Sequence, residues 1–303
     1  MSAKVVRCCP ACQTDSQRAR LFLAESLDRA RLSEFSFASR KEPEFMSHRL
    51  VQCPTCDLVY VDMPPDEDEL AHAYHVANYD SSDEADDAAK SYIQAVRPTL
   101  NKLAHRKIAL EIGTGTGIFL EHLAAEGFEK LIGIEPSHAA VIAAPEHRRK
   151  WIRETIFNES DFEPASFDLI CCFMTMEHVR NPDVLAHSAL RLLRPGGAFV
   201  TVTHDYRSMV NRLLGKRSPI IDIEHMQLFS KQSIRYLFEH AGFCDVTVGA
   251  FTNTYALRYW TRLAPVPRIP KHFLARVMAA TGIERIKCGL NVGNTITAGF
   301  RKV

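Results

Sequence analysis

The sequence predicts an α/β fold, a mostly parallel seven-stranded sheet with helices on both faces behind a small cysteine-rich module. Three observations carry this. Short apolar runs alternate with helical patterns from Ile108 onward, three alternating glycines follow the first run, and two Cys-x-x-Cys turns stand near the N-terminus. Alternation of strands with helices is the pattern of a parallel sheet covered on both faces.

In chain order, Cys9-Pro-Ala-Cys12 and Cys53-Pro-Thr-Cys56 each form the tight turn that presents two thiolates to one metal. Together they supply the four soft ligands of a structural zinc site, Cys9, Cys12, Cys53 and Cys56, with no open position for water. Cys8 adjoins Cys9 and could replace it, and a redox pair is the alternative reading of the two turns. Residues 1–65 are therefore expected to form a zinc-ribbon-like module with an insertion between its knuckles. Residues 66–104 read as a helical linker containing Tyr74, Tyr79 and a helix over 90–104. Residues 105–303 read as the main domain.

Within that domain, strands are predicted at 108–112, 130–135, 150–155, 167–173, 198–203, 244–251 and 294–302. Helices are predicted at 117–126, stopped by Gly127, at 137–148, and at 182–193, opened by Asn181-Pro182. A further helix is capped by Ser230 and stopped by Gly242. Arg194-Pro-Gly-Gly197 reads as a turn. Two insertions interrupt the alternation, a polar and basic one at 205–229 and an aromatic, basic one at 252–291 carrying Tyr255, Tyr259, Trp260, Pro265, Pro267 and Pro270. Both are positioned to cover a cleft at the C-terminal ends of the strands.

Composition excludes little. With 37 Lys and Arg against 36 Asp and Glu, the net charge is +1, which argues neither for nor against nucleic acid. The segment from Asp62 to Asp87 holds ten acids and no Lys or Arg, whereas Thr252 to Val303 holds nine Lys or Arg and one acid. Such blocks are solvated faces in the simplest reading. No run approaches a membrane span and the N-terminus lacks an apolar signal core. Nine cysteines, two of them adjacent within a strand, suit a reducing, cytoplasmic setting better than a disulfide scaffold.

The segment Ile108-Ala-Leu-Glu-Ile-Gly113-Thr-Gly115-Thr-Gly117, a helix, and Leu131-Ile-Gly-Ile-Glu135 read as a β-α-β unit around a nucleotide, with the terminal acid placed for ribose hydroxyls. The spacing is not Gly-x-Gly-x-x-Gly, and no Lys-Ser/Thr follows, so a phosphate cradle is not expected. Four segments in order, Leu-Glu-Ile-Gly-Thr-Gly-Thr-Gly, Gly-Ile-Glu-Pro-Ser, Ser-Phe-Asp-Leu-Ile and Leu-Arg-Pro-Gly-Gly, resemble the motifs of class I S-adenosylmethionine-dependent methyltransferases, Rossmann-like proteins. The double Cys-x-x-Cys in front resembles the zinc-binding module of bacterial small-molecule methyltransferases associated with sugar, polysaccharide or natural-product pathways. That resemblance implies S-adenosylmethionine as cofactor, with Glu111, Gly113, Gly115 and Gly117 along its methionine and ribose. It implies Glu135 on the ribose hydroxyls, Pro136 and Ser137 beside the adenine, Ile156 and Phe157 at the adenine edge, and Phe173 and Met174 under the methyl donor.

Methyl transfer to oxygen needs alignment and a base poised near neutrality. His225, in Glu-His-Met-Gln-Leu-Phe-Ser, is the first candidate, since the resembling segment borders the acceptor pocket in related enzymes. His178 is the second and His204-Asp205 the third, with Asp205 as orienter or base. The expected acceptor is a small molecule, anionic or carrier-linked if the basic 252–291 insertion reads it. That insertion is equally well a packed subdomain or a homodimer interface. An RNA methyltransferase is the main rival, against which stand the acidic stretch after the module and Phe-Met-Thr-Met in place of Asn/Asp-Pro-Pro-Tyr/Phe. A non-catalytic cofactor-binding protein is the other; the intact glycines and Glu135 speak against it.

Overall fold

The computed structural model describes residues 6–28, 30, 36–37, 44–77, 82–264 and 268–303. Tyr79, Pro265 and Pro267 lie outside these, as does the side chain of Pro270. The N-terminal region contributes β1 (Arg20–Leu23), β2 (Leu50–Gln52) and β3 (Val59–Val61), followed by α1 (Glu67–His75) and α2 (Ser82–Leu100). Asp66 caps α1 by accepting from Glu69 N, and three acids in the first turn complement the helix dipole. The helix expected over 90–104 thus begins earlier, at Ser82.

The main sheet follows: β4 (Ile108–Ile112), α3 (Ile118–Ala125), β5 (Lys130–Glu135), α4 (His138–Ala143), α5 (Glu146–Arg149), β6 (Ile152–Glu154), β7 (Phe167–Phe173), α6 (Pro182–Leu192) and β8 (Leu193–His204). The single helix expected over 137–148 is two, because Pro145 lacks an N–H and forces Ala144 into an extended conformation. Residues 194–197, expected as a turn, belong to β8: Leu193 pairs with Phe167, and Gly196 and Gly197 exchange backbone bonds with Arg301. The chain continues through α7 (Met209–Leu214), β9 (Gln227–Leu228), α8 (Lys231–Ala241), β10 (Cys244–Ala250), β11 (Asn253–Ala256), α9 (Leu257–Leu263), α10 (Arg268–Thr281), β12 (Lys287–Leu290) and β13 (Asn294–Phe300). Ser230 and Ser233 form a capping box on α8, and Gly242 ends it at φ 98°.

Seven strands make the main sheet in the order β10-β13-β8-β7-β4-β5-β6. Five neighbours from β6 to β8 are parallel, as expected, but β13 runs antiparallel to both β8 and β10, so the sheet is mixed. The chain leaves β10 through the β11-β12 hairpin excursion and returns as β13 beside it. β7 is buried along its whole length because helices cover both faces, which is why it reads as an unbroken apolar run. One core holds Leu110, Ile170 and Phe199 against α6 and α8; the other holds Ala109, Leu169 and Val200 against α2 and α3. The order places β5 and β6 on one side of β4, and β7 and β8 on the other. The C-terminal ends of β4 and β7 therefore flank the point where strand order reverses, where open α/β sheets leave a crevice.

The N-terminal strands form a second, antiparallel sheet, β1-β2-β3-β9, whose fourth strand comes from the 205–229 insertion. Cys9, Cys53, Cys56, Leu58 and Tyr60 also belong to the same core as α6 and α8. At the joint lies Asp57, 7% exposed and in the left-handed region at φ 69°. Its Oδ2 accepts from Arg207 Nε at 2.6 Å and Ser230 Oγ at 2.7 Å. Its Oδ1 accepts from Arg207 Nη2 at 2.5 Å, the Tyr206 hydroxyl at 2.9 Å and Gln52 Nε2 at 2.8 Å. Burial pushes this carboxyl up, yet Arg207, Ser230 and Tyr206 together hold it below the usual carboxylate range. Asp57→Ala leaves several of these donors without a partner and is expected to cost about 3 kcal/mol in denaturant unfolding. Wild-type stability in that variant would show that the joint is held by packing alone.

Candidate functional site

A cavity of about 860 Å³ opens at the reversal point between β4 and β7. Its floor is the glycine turn. Gly113 has φ +76°, and a Cβ there would come within 2.1 Å of Thr175 Oγ1, so only glycine lets the turn after β4 lie against the segment after β7. Gly115 also has positive φ, but no atom lies within 4 Å of its Cβ position, so this backbone faces open space in the cavity wall. Gly117 does not line the cavity. It is the left-handed N-cap of α3, and its Cβ position faces Ile152 and Arg148 instead.

Glu135, at the C-terminal end of β5, is 9% exposed and accepts from Gly115 N at 2.7 Å and Ser137 N at 2.9 Å. Burial pushes its carboxyl up, against those two bonds. Glu111 accepts from the Thr114 hydroxyl at 2.5 Å beneath the turn. Pro136, Ser137, Ile156 and Phe157 line one end of the cavity. Phe173 and Met174 line it beside Gly113, and Met174 has φ 49°, an uncommon backbone for an unbranched side chain that Met174 N anchors to Val202 O at 2.8 Å. The structure thus brings together every residue expected at the cofactor except Gly117. The surface they form fits an adenosyl amino acid: an open glycine backbone, a carboxylate at the second strand end and no cationic phosphate cradle.

The opposite end carries a histidine cluster. His225 lies 8% exposed, with its ring centroid 4.8 Å from His178 and 6.0 Å from His204. Its Nδ1 is 2.8 Å from the Ile220 carbonyl, which can only accept, so the neutral ring carries its proton on Nδ1 and Nε2 is the basic nitrogen. Burial, then the neighbouring His178, push the His225 pKa down. His178 Nδ1 lies 3.1 Å from the Tyr74 hydroxyl and 3.2 Å from the Glu224 carbonyl, so α1 supports this end of the site. One ligand-type atom from each of His178, Glu224 and His225 falls within 4.8 Å of the others.

Asp205 does not join them. His204 and Asp205 are adjacent at a strand end and point to opposite sides, so only His204 reaches the cavity, while the Asp205 carboxylate accepts from Arg207 N at 2.9 Å. The acid facing His204 is Glu177, fully buried, with Oε1 accepting from His204 N at 2.7 Å and lying 3.4 Å from Nδ1. Burial pushes the Glu177 carboxyl up, but His204 and then His225 and His178 bring it below the ordinary range. Sequence reasoning singled out His178 and passed over Glu177, although a carboxylate next to a candidate histidine was the signal. Asn253 and Asn294, also lining the cavity, carried no such signal.

The described lining holds seven acids and, besides the histidines, one cation, Arg180. Arg180 is committed to the Pro65 carbonyl at 2.6 Å. No described basic side chain of 252–291 lines the cavity; Tyr255, Tyr259, Trp260 and Leu263 do. The expectation of an anionic acceptor read by that insertion therefore does not fit the lining. Those aromatics pack on α2 and the sheet.

The four N-terminal cysteines gather apart from the cavity. Their sulfurs lie within 4.8 Å of one another, with Cys9–Cys56 and Cys12–Cys53 both at 3.5 Å. Tetrahedral Zn–S bonds of about 2.3 Å require S···S edges near 3.8 Å, so the set fits zinc. Each turn is followed by a left-handed residue, Gln13 and Asp57. The contact with Cys56 pushes the Cys9 thiol down, and the same contact and then burial push the Cys56 thiol up. Cys8 is exposed and outside the cluster, and Cys171 and Cys172 are buried core thiols pushed up by desolvation.

Comparison with known proteins gives the same domain. A family described as a methyltransferase domain matches residues 85–248, more than half of the chain. Curated relatives include the ubiquinone biosynthesis O-methyltransferases of Yersinia pestis (strain Pestoides F) and Yersinia pseudotuberculosis serotype O:1b (strain IP 31758), each 29% identical over 116 residues. That match covers 36% of this chain and 48% of theirs, so the chain spans about half the length of the curated relatives it matches. Among solved structures, a possible histamine N-methyltransferase from Thermotoga maritima is 21% identical with a TM-score of 0.48, covering 72% of this chain and 91% of its own. On the family match, this chain belongs to the methyltransferase-domain family and carries an S-adenosylmethionine-dependent methyltransferase domain.

Proposed function

We propose that this protein methylates a hydroxyl group of a small, uncharged acceptor, with His225 as the base, and that Cys9, Cys12, Cys53 and Cys56 hold a structural zinc ion. The observation that carries the reading is one cavity with two unlike ends, the glycine turn and Glu135 at one, and His225 with its proton committed to Ile220 O at the other. S-adenosylmethionine, when bound, supplies a methyl group on a positively charged sulfur. Gly113 and Gly115 would let the backbone approach its amino acid and ribose, and Glu135 would accept from the ribose hydroxyls. The seven acids of the lining favour a cationic donor and disfavour phosphate-bearing acceptors, nucleic acid included.

His225 Nε2 would take the proton of the acceptor hydroxyl, leaving its oxygen to receive the methyl group that bound S-adenosylmethionine would supply, with S-adenosylhomocysteine left over. His225 needs no deprotonation at neutral pH, because burial already holds it below the ordinary value of about 6.5. Glu177 keeps negative charge behind His204 and His225, favouring a transient imidazolium. The relatives named as O-methyltransferases support oxygen as the acceptor atom. Zinc would act through folding, fixing the two knuckles from which Asp57 extends.

The two glycines should separate fold from cofactor. Gly113→Ala is expected to lower thermal stability sharply through its clash with Thr175, whereas Gly115→Ala should fold, at about 1 kcal/mol of backbone strain, and lose S-adenosylmethionine affinity in calorimetry. Retained affinity in Gly115→Ala would remove the cofactor from this turn. His225→Ala should lower kcat by about 10²–10⁴ while cofactor binding stays. In the wild type, kcat/KM should rise with pH through a midpoint below 6.5 and level off by neutrality, and that limb should be missing in the variant. Full activity of His225→Ala would exclude it as the base.

A further inference from the structure

We infer that α7 and the loop after it form a docking surface for an anionic lipid bilayer, with Met209 and Leu213 as the inserting side chains. The inference is independent of the reaction in the cavity. α7 is built inside out. Ser208 caps it by accepting from Asn211 N at 3.3 Å, and its one buried residue is the polar Asn211. Asn211 Nδ2 donates to Asp205 O at 2.8 Å, and its Oδ1 accepts from the Ser218 hydroxyl at 2.8 Å, so polar bonds hold the inner side of the helix. The aliphatic residues are left outside. Met209 is 75% exposed and Leu213 79%, above every other large apolar residue described except the C-terminal Val303. Four residues apart, they share one face of the helix, and with Arg207 and Arg212 they border one surface hollow. A single exposed leucine needs no explanation, but a helix that buries its amide and exposes its aliphatics reverses the usual amphipathic order.

Charge selects the partner. From Tyr206 to Ile221 the chain holds Arg207, Arg212, Lys216 and Arg217 and no acid. Arg207 is committed to Asp57. The other three are exposed and make no ion pair among the described residues. The acids nearest in sequence, Asp205 and Asp222, are buried. Unpaired cations around protruding aliphatics match a surface that is anionic outside and hydrocarbon beneath, a bilayer with acidic headgroups. Nucleic acid would satisfy the cations and leave Met209 and Leu213 in water. The same face of a second copy would bring like charges together around the apolar contact.

The docking is to the membrane surface, since no described helix is long and apolar enough to cross a membrane. The surface continues onto β1, where Phe22 is 40% exposed and packs edge-on against Tyr206, with ring centroids 5.5 Å apart. In the other direction the chain runs through Ser218 to Pro219 and Ile220, which line the cavity, so the docked face adjoins its histidine end.

The test sediments the full chain with vesicles of phosphatidylcholine alone, and of phosphatidylcholine and phosphatidylglycerol in equal parts. The wild type should bind the mixed vesicles at least about tenfold more tightly than phosphatidylcholine, and high salt should release it. The double variant Met209→Ser, Leu213→Ser should lose about tenfold or more of that affinity. The triple variant Arg212→Gln, Lys216→Gln, Arg217→Gln should lose about fivefold per cation removed. Both should melt within about 2 °C of the wild type, because the altered side chains are solvated in the free protein. A variant melting well below that would show that α7 packs inward, and would overturn the inference. So would a wild type that ignores mixed vesicles or binds both kinds equally, or variants that bind as well as the wild type. Loss in the charge variant alone would mean adsorption without insertion and overturn it too. Tighter binding to a DNA duplex than to vesicles, or wild-type dimerisation that the double variant abolishes, would assign the surface to those partners instead.

Discussion

The Asp57 carboxylate ties the N-terminal sheet to the segment that runs from β8 to α8, on top of the apolar core the two regions share. It follows directly on Cys56, and its oxygens accept from Tyr206, Arg207 and Ser230, which bracket the segment carrying His225. A buried carboxylate with this many donors is stabilising only while all of them stay in place, because each lost partner leaves a desolvated group behind. The knuckle must therefore hold Asp57 in its left-handed conformation for the 205–230 segment to keep its path.

The rest of the histidine end of the cavity follows from that path. β9 pairs with β3, and Met226 N donates to Glu177 O at 2.8 Å, tying the insertion to the loop after β7. Arg7 donates to carbonyls of Val61, Arg180 and Met226, one from each of the three pieces that meet there. Burial lowers its pKa to about 10, still far above neutrality, so the clamp stays charged. Tyr74, reaching from α1 to His178, adds the N-terminal region to the cavity wall. The cysteine module thus helps shape the histidine end of the cavity.

The glycine-turn end of the cavity was legible in the sequence because it is local. Glycines, strand ends and a carboxylate at fixed spacing encode a β-α-β turn within about 30 residues, and all but Gly117 fall on the cavity. Gly117 shows the limit of spacing, since the third glycine serves the start of α3. The histidine end was readable only as a region. His204 reaches Glu177 across 27 positions, and Asn294 meets His204 through an antiparallel register that the regular alternation of elements did not announce. Asp205 was misplaced for a related reason, because adjacency at a strand end puts neighbouring side chains on opposite faces. Likewise, the basic residues of 252–291 suggested an anionic ligand, whereas burial selected its aromatic residues for the cavity and left the described cations elsewhere.

Hydrogen exchange of the protein reconstituted with zinc, before and after chelation, tests the coupling of module to site most directly. Removal of zinc is expected to raise amide exchange in 50–61 and, with it, across 205–230, while 108–135 keeps its protection. A rise confined to the module, with 205–230 unchanged, would contradict a cysteine knuckle that holds the histidine end of the cavity in place.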